Sequence, residues 1–120
     1  MRFLALDFEA GSVVNPGPVT LGLAIFQDGE VEASREWLFK PCRNYKGELM
    51  FEYTEDAARI HGKTLEIMDA EGMDVQAVYS EVLDFLGKPW SNPIISHASA
   101  YDANVWGNMM FAAGRYDRPG

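Results

Sequence analysis

Hydrophobic and polar residues follow three different rhythms along this chain. Phe3 to Phe8 is apolar except for Asp7, the pattern of a strand buried on both faces. A loop containing Asn15-Pro16-Gly17-Pro18 follows, then a second strand from Val19 to Gln27. Asp28-Gly29 is a two-residue hairpin signal leading into a third strand near Val31 to Lys40, so three consecutive antiparallel strands are expected. Pro41 ends this set, and the segment to Phe51 is a loop.

The rhythm then changes to a helical one. Thr54, followed by Glu55 and Asp56, predicts an N-cap with acids in the first turn of a short helix that Gly62 stops. Asp74 is placed to cap a longer helix in which Val75, Val78, Tyr79, Val82, Leu83 and Leu86 form one apolar stripe before Gly87. After the breaker of residues 88–93, Ile94-Ile95-Ser96-His97 predicts a short buried strand. Ser99-Ala100-Tyr101-Asp102 matches a capping box, predicting a helix from about Ala100 to Ala113 with Gly114 at its end. The expected order is βββαβα, with one helix open to being split, in a single α/β domain with no internal repeat.

Composition narrows this picture. With 120 residues and 48% hydrophobic content, the chain can bury roughly two-thirds of its unfolded surface without disulfides or a structural metal. Its single cysteine, Cys42, excludes an internal disulfide and a multi-cysteine zinc site. The opening residues lack the apolar core of a signal peptide, and the longest uncharged run is broken by Asn15, Pro16, Gly17 and Pro18. A cytoplasmic protein with no membrane partner is expected.

The net charge of −8 argues against a protein that coats long nucleic acids. That charge is concentrated, however. Between Glu48 and Asp84 lie ten acids and two bases, while the rest of the chain is balanced at eight of each. The acidic segment is a solvated helical face, and chemistry is sought outside it.

Asp7 and Glu9 stand two apart on the first strand, so both carboxylates point to one side. Asp102 occupies the first turn of the helix that leaves the last strand, a place where α/β sites commonly form. Three carboxylates from two elements can meet there, and oxygen donors suit hard divalent cations.

With these residues in view, a family resemblance becomes visible. Phe3-Leu4-Ala5-Leu6-Asp7-Phe8-Glu9-Ala10, followed by Leu21 to Phe26, resembles the first motif and second strand of the DEDD 3′–5′ exonuclease superfamily, the DnaQ-like and ribonuclease T-like enzymes. Ile60-His61-Gly62-Lys63-Thr64 is similar to the family's Ile-His-Gly-Ile-Thr segment, and His97-Ala98-Ser99-Ala100-Tyr101-Asp102 to its second motif, His-Asn-Ala-x-Phe-Asp. Ala98 departs from that motif by replacing its asparagine, and Ala10 stands where many members carry a hydroxyl.

The resemblance implies an RNase H-like mixed sheet, three antiparallel strands and then a parallel one, with flanking helices. It implies that Asp7, Glu9 and Asp102 bind two Mg²⁺ or Mn²⁺ ions and catalyse hydrolysis of a 3′-terminal phosphodiester, releasing a nucleoside 5′-monophosphate. Phe8, Ala10 and His61 fall at positions on the substrate side of the motifs, although Phe8 also suits the core. The partner implied is the 3′ end of single-stranded DNA or RNA, with a second copy or a polymerase-type protein as further partners.

The family's third motif, which supplies a general base and a fourth carboxylate, has no counterpart here. Residues 114–120 contain no histidine, and Tyr116-Asp117 lacks the spacing of the tyrosine variant. The expectation is therefore one exonuclease-like domain over residues 1–120, corresponding to the N-terminal two-thirds of such an enzyme, with the general base outside it. The competing expectation is a non-catalytic module that binds a metal, a nucleic-acid end or a protein.

Overall fold

Strand β1, Arg2–Ala10, pairs antiparallel with β2, Pro18–Gln27, which pairs antiparallel with β3, Glu30–Leu38. The computed structural model describes residues 1–87 and 90–114. At the β2–β3 turn, Asp28 and Gly29 have φ of 52° and 87°, the left-handed pair that a tight hairpin requires. Strand β4, Ile94–Ser96, adds to the far side of β1 in parallel, giving the order β3-β2-β1-β4. The three antiparallel strands and the parallel fourth are thus as expected.

Three helices separate β3 from β4: α1, Glu55–His61; α2, Leu65–Glu71; and α3, Val75–Leu86. Helix α4, Ser99–Ala112, follows β4. The split left open in the sequence is real, as α1 and α3, and α2 is a further helix that the hydrophobic pattern did not predict. Its N-cap is Thr64, whose hydroxyl accepts from Ile67 N at 3.2 Å. It has only seven residues and buries only Met68, too little for an apolar period to show.

Leu4, Leu6 and Phe8 of β1 lie opposite Ile25, Leu23 and Leu21 of β2. These residues form the core with Trp37 and Phe39, covered by Val78 and Val82 of α3 and Val105 and Met109 of α4. The other face of β1 carries Phe3, Ala5, Asp7 and Glu9, and both carboxylates are exposed. The expectation of burial on both faces is therefore corrected. Phe3 stacks on Phe26 at 4.9 Å and Ala5 pairs with Ala24, so this open face carries an apolar patch that disguises the alternation.

Strand β4 is also corrected from buried to exposed, with Ile94 at 58% and Ile95 at 50%. It is a three-residue edge strand with β1 on one side, and its two consecutive isoleucines, which point to opposite faces, are both left largely uncovered.

Two expected caps are absent. Neither Asp74 at α3 nor any side chain at the start of α4 makes a capping hydrogen bond, and Ala98 occupies the N-cap of α4. Asp102 faces inward instead of capping. The expected features at Lys88-Pro89 and Tyr116-Asp117 lie outside the described residues.

Thr54 caps α1 and also joins it to the end of β1. Its hydroxyl accepts from Ala57 N and donates to Gly11 O, both at 3.1 Å. Thr54→Ala removes the cap and the bridge together. Its expected cost is about 1–2 kcal/mol, read as a lower urea midpoint at unchanged denaturant slope.

Candidate metal and nucleic-acid site

Asp7 lies opposite Gly22, and Glu9 opposite Thr20. Directly opposed residues of antiparallel strands share a face, so Asp7 and Glu9 stand together on the open side of the sheet. The Thr20 hydroxyl donates to Glu9 Oε1 at 3.0 Å, fixing that carboxylate. Gly22 provides no side chain beside Asp7, leaving a concavity of about 520 Å³ over Asp7, Gly22 and Ala24. Glu36 lies opposite Gly22 on its other side and brings a third acid to this face. Sequence spacing does not reveal Glu36, because only strand register places it in the row with Asp7.

Asp102 is carried to this region by the first turn of α4. It is only 4% exposed. Buried charges are normally paired or coordinated because loss of hydration is costly. Partial desolvation pushes the Asp7 carboxyl above its ordinary value, followed in importance by the Asp102 charge, then by Glu9, with Glu36 adding to the rise and His97 opposing it. Among charges acting on Asp7, Asp102 is therefore the strongest.

This sets a pH dependence. The ordinary Asp7 value is 3.8, and the folded value is higher, so ionised Asp7 costs the metal-free fold stability. The cost is complete above the folded pKa, shrinks as pH falls through it, and is absent below the unfolded one. Asp7→Asn should consequently raise the thermal midpoint of metal-free protein at neutral pH, with the gain vanishing below pH 3.8. An equal midpoint for the two proteins at neutral pH would contradict this electrostatic account.

The remaining candidate residues separate into two groups. Phe8 is 6% exposed and Ala10 8%. Phe8 meets Trp106 edge-on at 6.4 Å. Both expected substrate contacts are therefore corrected to core positions, since they lie on the face opposite Asp7 and Glu9.

His61 is half-buried beside a cleft of about 510 Å³ that also borders Thr54, Arg59, Lys63 and Thr64. Its Nδ1 accepts from Lys63 N at 3.0 Å. Nε2 is buried without a partner. This arrangement makes Nε2 the protonated nitrogen of the neutral ring. Cys42 is buried, and desolvation pushes its thiol up to about 11, which leaves it inert as a nucleophile.

The loop after β1 is held between α4 and the segment leading into α1. Tyr101 Oη donates to Ser12 O at 2.6 Å, and Asn108 Nδ2 donates to Pro16 O at 3.0 Å. From the other side, Thr54 N donates to Gly11 O at 2.8 Å and Glu52 N to Asn15 O at 2.9 Å. At the loop's tip Val13 and Val14 are 82% and 84% exposed. Ile60, on the tethered helix α1, is 88% exposed. Val13 and Val14 were not singled out from sequence, where an isolated valine carries no signal, whereas Ile60 opens the Ile60-His61-Gly62-Lys63-Thr64 segment.

Asp7, Glu9 and Asp102 form an all-oxygen donor set suited to a hard cation. Asp102 is the buried member of the three, and its charge is the strongest acting on Asp7. Among the described residues no three His, Cys, Asp or Glu side chains are close enough to form a finished metal cage. The donor chemistry therefore fits a cation, with closure of the carboxylates left to the ion itself. No helix of the described residues is long and apolar enough to cross a membrane.

No family model and no curated protein matches the chain. Solved structures do match. Escherichia coli exonuclease I in complex with a dT13 oligonucleotide aligns with TM-score 0.73 and 18% identity, over 93% of this chain and 24% of that one. The zinc-ion-bound form of the E. coli exonuclease I–single-stranded DNA complex aligns with TM-score 0.74 and 18% identity, over 93% and 24% of the two chains. A product-bound structure of exonuclease I gives TM-score 0.74 and 18% identity, over 93% and 25%. The chain thus spans about a quarter of the length of the exonuclease I structures it matches. The likeness establishes an RNase H-like fold and bears out the expected DEDD-exonuclease resemblance at that level.

Proposed function

We propose that this domain acts at the 3′ end of a single nucleic-acid strand, with Asp7, Glu9 and Asp102 holding divalent metal for hydrolysis of the terminal phosphodiester. The observation that carries this reading is Asp102, a residue only 4% exposed whose charge is the strongest acting on Asp7. A cation between them would neutralise a repulsion that His97 opposes only in part. The single-stranded DNA present in the exonuclease I structures supports a strand as the ligand.

Two bound Mg²⁺ or Mn²⁺ ions would supply an activated water and charge stabilisation for the departing oxygen, yielding a nucleoside 5′-monophosphate. The chain's own residues have distinct parts in this scheme. Thr20 holds the Glu9 carboxylate in one orientation through its hydroxyl. Gly22 leaves the approach to Asp7 clear. His61, its Nδ1 held by Lys63 N, lines the cleft offered to the strand together with Lys63 and Arg59. The acidic run of residues 48–84 accounts for the whole net charge, and the residues outside it, which include Asp7, Glu9 and Asp102, are balanced.

The test is digestion of a 3′-labelled single-stranded oligonucleotide. Mononucleotide release dependent on Mg²⁺ or Mn²⁺ and stopped by chelation is expected. Release of the label that is indifferent to chelation would overturn the metal-dependent mechanism.

A further inference from the structure

Tyr101 and Asn108 are seven residues apart on α4, two helical turns, and so lie on one face of it. Both reach across the fold to the same loop. The Tyr101 hydroxyl donates to Ser12 O at 2.6 Å, across 89 positions of sequence, and the Asn108 amide donates to Pro16 O at 3.0 Å, across 92. Ser12 and Pro16 are buried and bracket the exposed tip of the loop. One end of this loop is continuous with the strand carrying Asp7 and Glu9. The helix at the other end of the tether carries Asp102 next to Tyr101.

We propose that Tyr101 and Asn108 form a two-point clamp that sets the spacing between Asp102 and the Asp7–Glu9 pair. They are positioning residues, acting through those carboxylates, and the inference rests on the metal-binding reading above. The motif that this chain resembles has phenylalanine where Tyr101 stands, so the hydroxyl is an addition that packing alone does not require. The ring fills its place with or without the oxygen.

The carboxylates lie on separate elements, and no three of the described residues form a finished cage. Their mutual repulsion drives them apart in the metal-free state, and a tether between their elements limits that separation. The hydrogen bonds run from side chains of one element to main-chain oxygens of the other, so they resist sliding of the helix along the loop. The hydroxyl bond, one residue from Asp102, governs the near end of the helix; the amide bond, two turns away, prevents pivoting about it.

Mn²⁺ titration followed by electron paramagnetic resonance tests this on the whole chain, with Tyr101→Phe, Asn108→Ala, their combination and Asp7→Asn. Each single clamp variant should weaken Mn²⁺ binding by about ten-fold, the scale of groups that orient metal ligands. Amide exchange over residues 11–17 should accelerate, while the far-ultraviolet circular dichroism stays native. Native Mn²⁺ affinity in both clamp variants overturns the proposal, as does unchanged exchange in the loop. A loss of affinity matched by a general loss of native signal also overturns it, because the residues would then be supports of the fold. Asp7→Asn provides the separate control. If it binds Mn²⁺ as tightly as the native protein, the metal reading itself fails and the clamp falls with it.

Discussion

Replacing Asp7 by alanine should reduce metal-dependent removal of 3′-terminal nucleotides by at least about 10³-fold. Metal ions stabilise developing charge by several kcal/mol, and each 1.36 kcal/mol is about a factor of ten in rate. Asp7 faces open space on the sheet, so its truncation creates no cavity and the fold should survive. Asp102→Asn should cause a comparable loss while retaining nearly the same shape.

If the two carboxylates serve one metal centre, the double variant should be little worse than either single one, since groups that act as a unit are not additive. The rates are read from a 3′-labelled single strand under saturating Mg²⁺ and again under Mn²⁺. Undiminished digestion by Asp7→Ala would remove Asp7 from the chemistry. Multiplication of the two single losses would show that the carboxylates work independently.

The second large effect concerns stability. Gly11→Ala should destabilise the domain by about 3 kcal/mol, the upper end of overpacking costs. A Cβ built at Gly11 comes within 2.4 Å of Glu52 O and 2.8 Å of Tyr53 Cα. Both obstructing atoms belong to backbone, so no rotamer change relieves the clash.

The same segment supplies the Thr54 and Glu52 hydrogen bonds that hold the loop after β1, so its displacement should also disturb the carboxylates. Gly22→Ala is the matched comparison. Its Cβ would meet only Asp7 O, at 3.9 Å, and a glycine inside a strand already costs about 0.5–1 kcal/mol relative to alanine. Urea melts should therefore show a much lower midpoint for Gly11→Ala and a native or higher one for Gly22→Ala. A native midpoint for Gly11→Ala would mean that the loop and the 52–54 segment are not held as close as described.

The elements most legible in sequence were those whose signals are local. Asp28-Gly29 makes its hairpin because both residues adopt positive φ, and Gly62 ends α1 at φ 76° for the same reason. The stripe from Val75 to Leu86 corresponds to α3. The pairing of Asp7 with Glu9 on one side follows from the two-residue period of any strand, and the structure places them there.

What could not be read locally concerned neighbours. The burial of β1 and β4 depends on which elements lie above them, and apolar Phe3, Ala5, Ile94 and Ile95 gave no warning that their surroundings were open. The Ser99-to-Asp102 spacing resembles a cap, yet helix packing turned Asp102 inward, where its charge is the strongest acting on Asp7. Phe8 was assigned to two roles by its position in a motif, and the alternation of β1 about Asp7 decided between them.

By itself, then, the sequence determined the order of strands and of every helix but α2, their principal stops, and the three carboxylates worth attention. Dihedral preferences and side-chain periods act over a few residues and are written into the chain. Only the tertiary structure decided that Glu36 shares a row with Asp7, that Asp102 is buried, and that Tyr101 and Asn108 tie its helix to the loop beyond β1. Those are relations between residues as much as 92 positions apart, and they exist only once register and packing have brought distant backbone together.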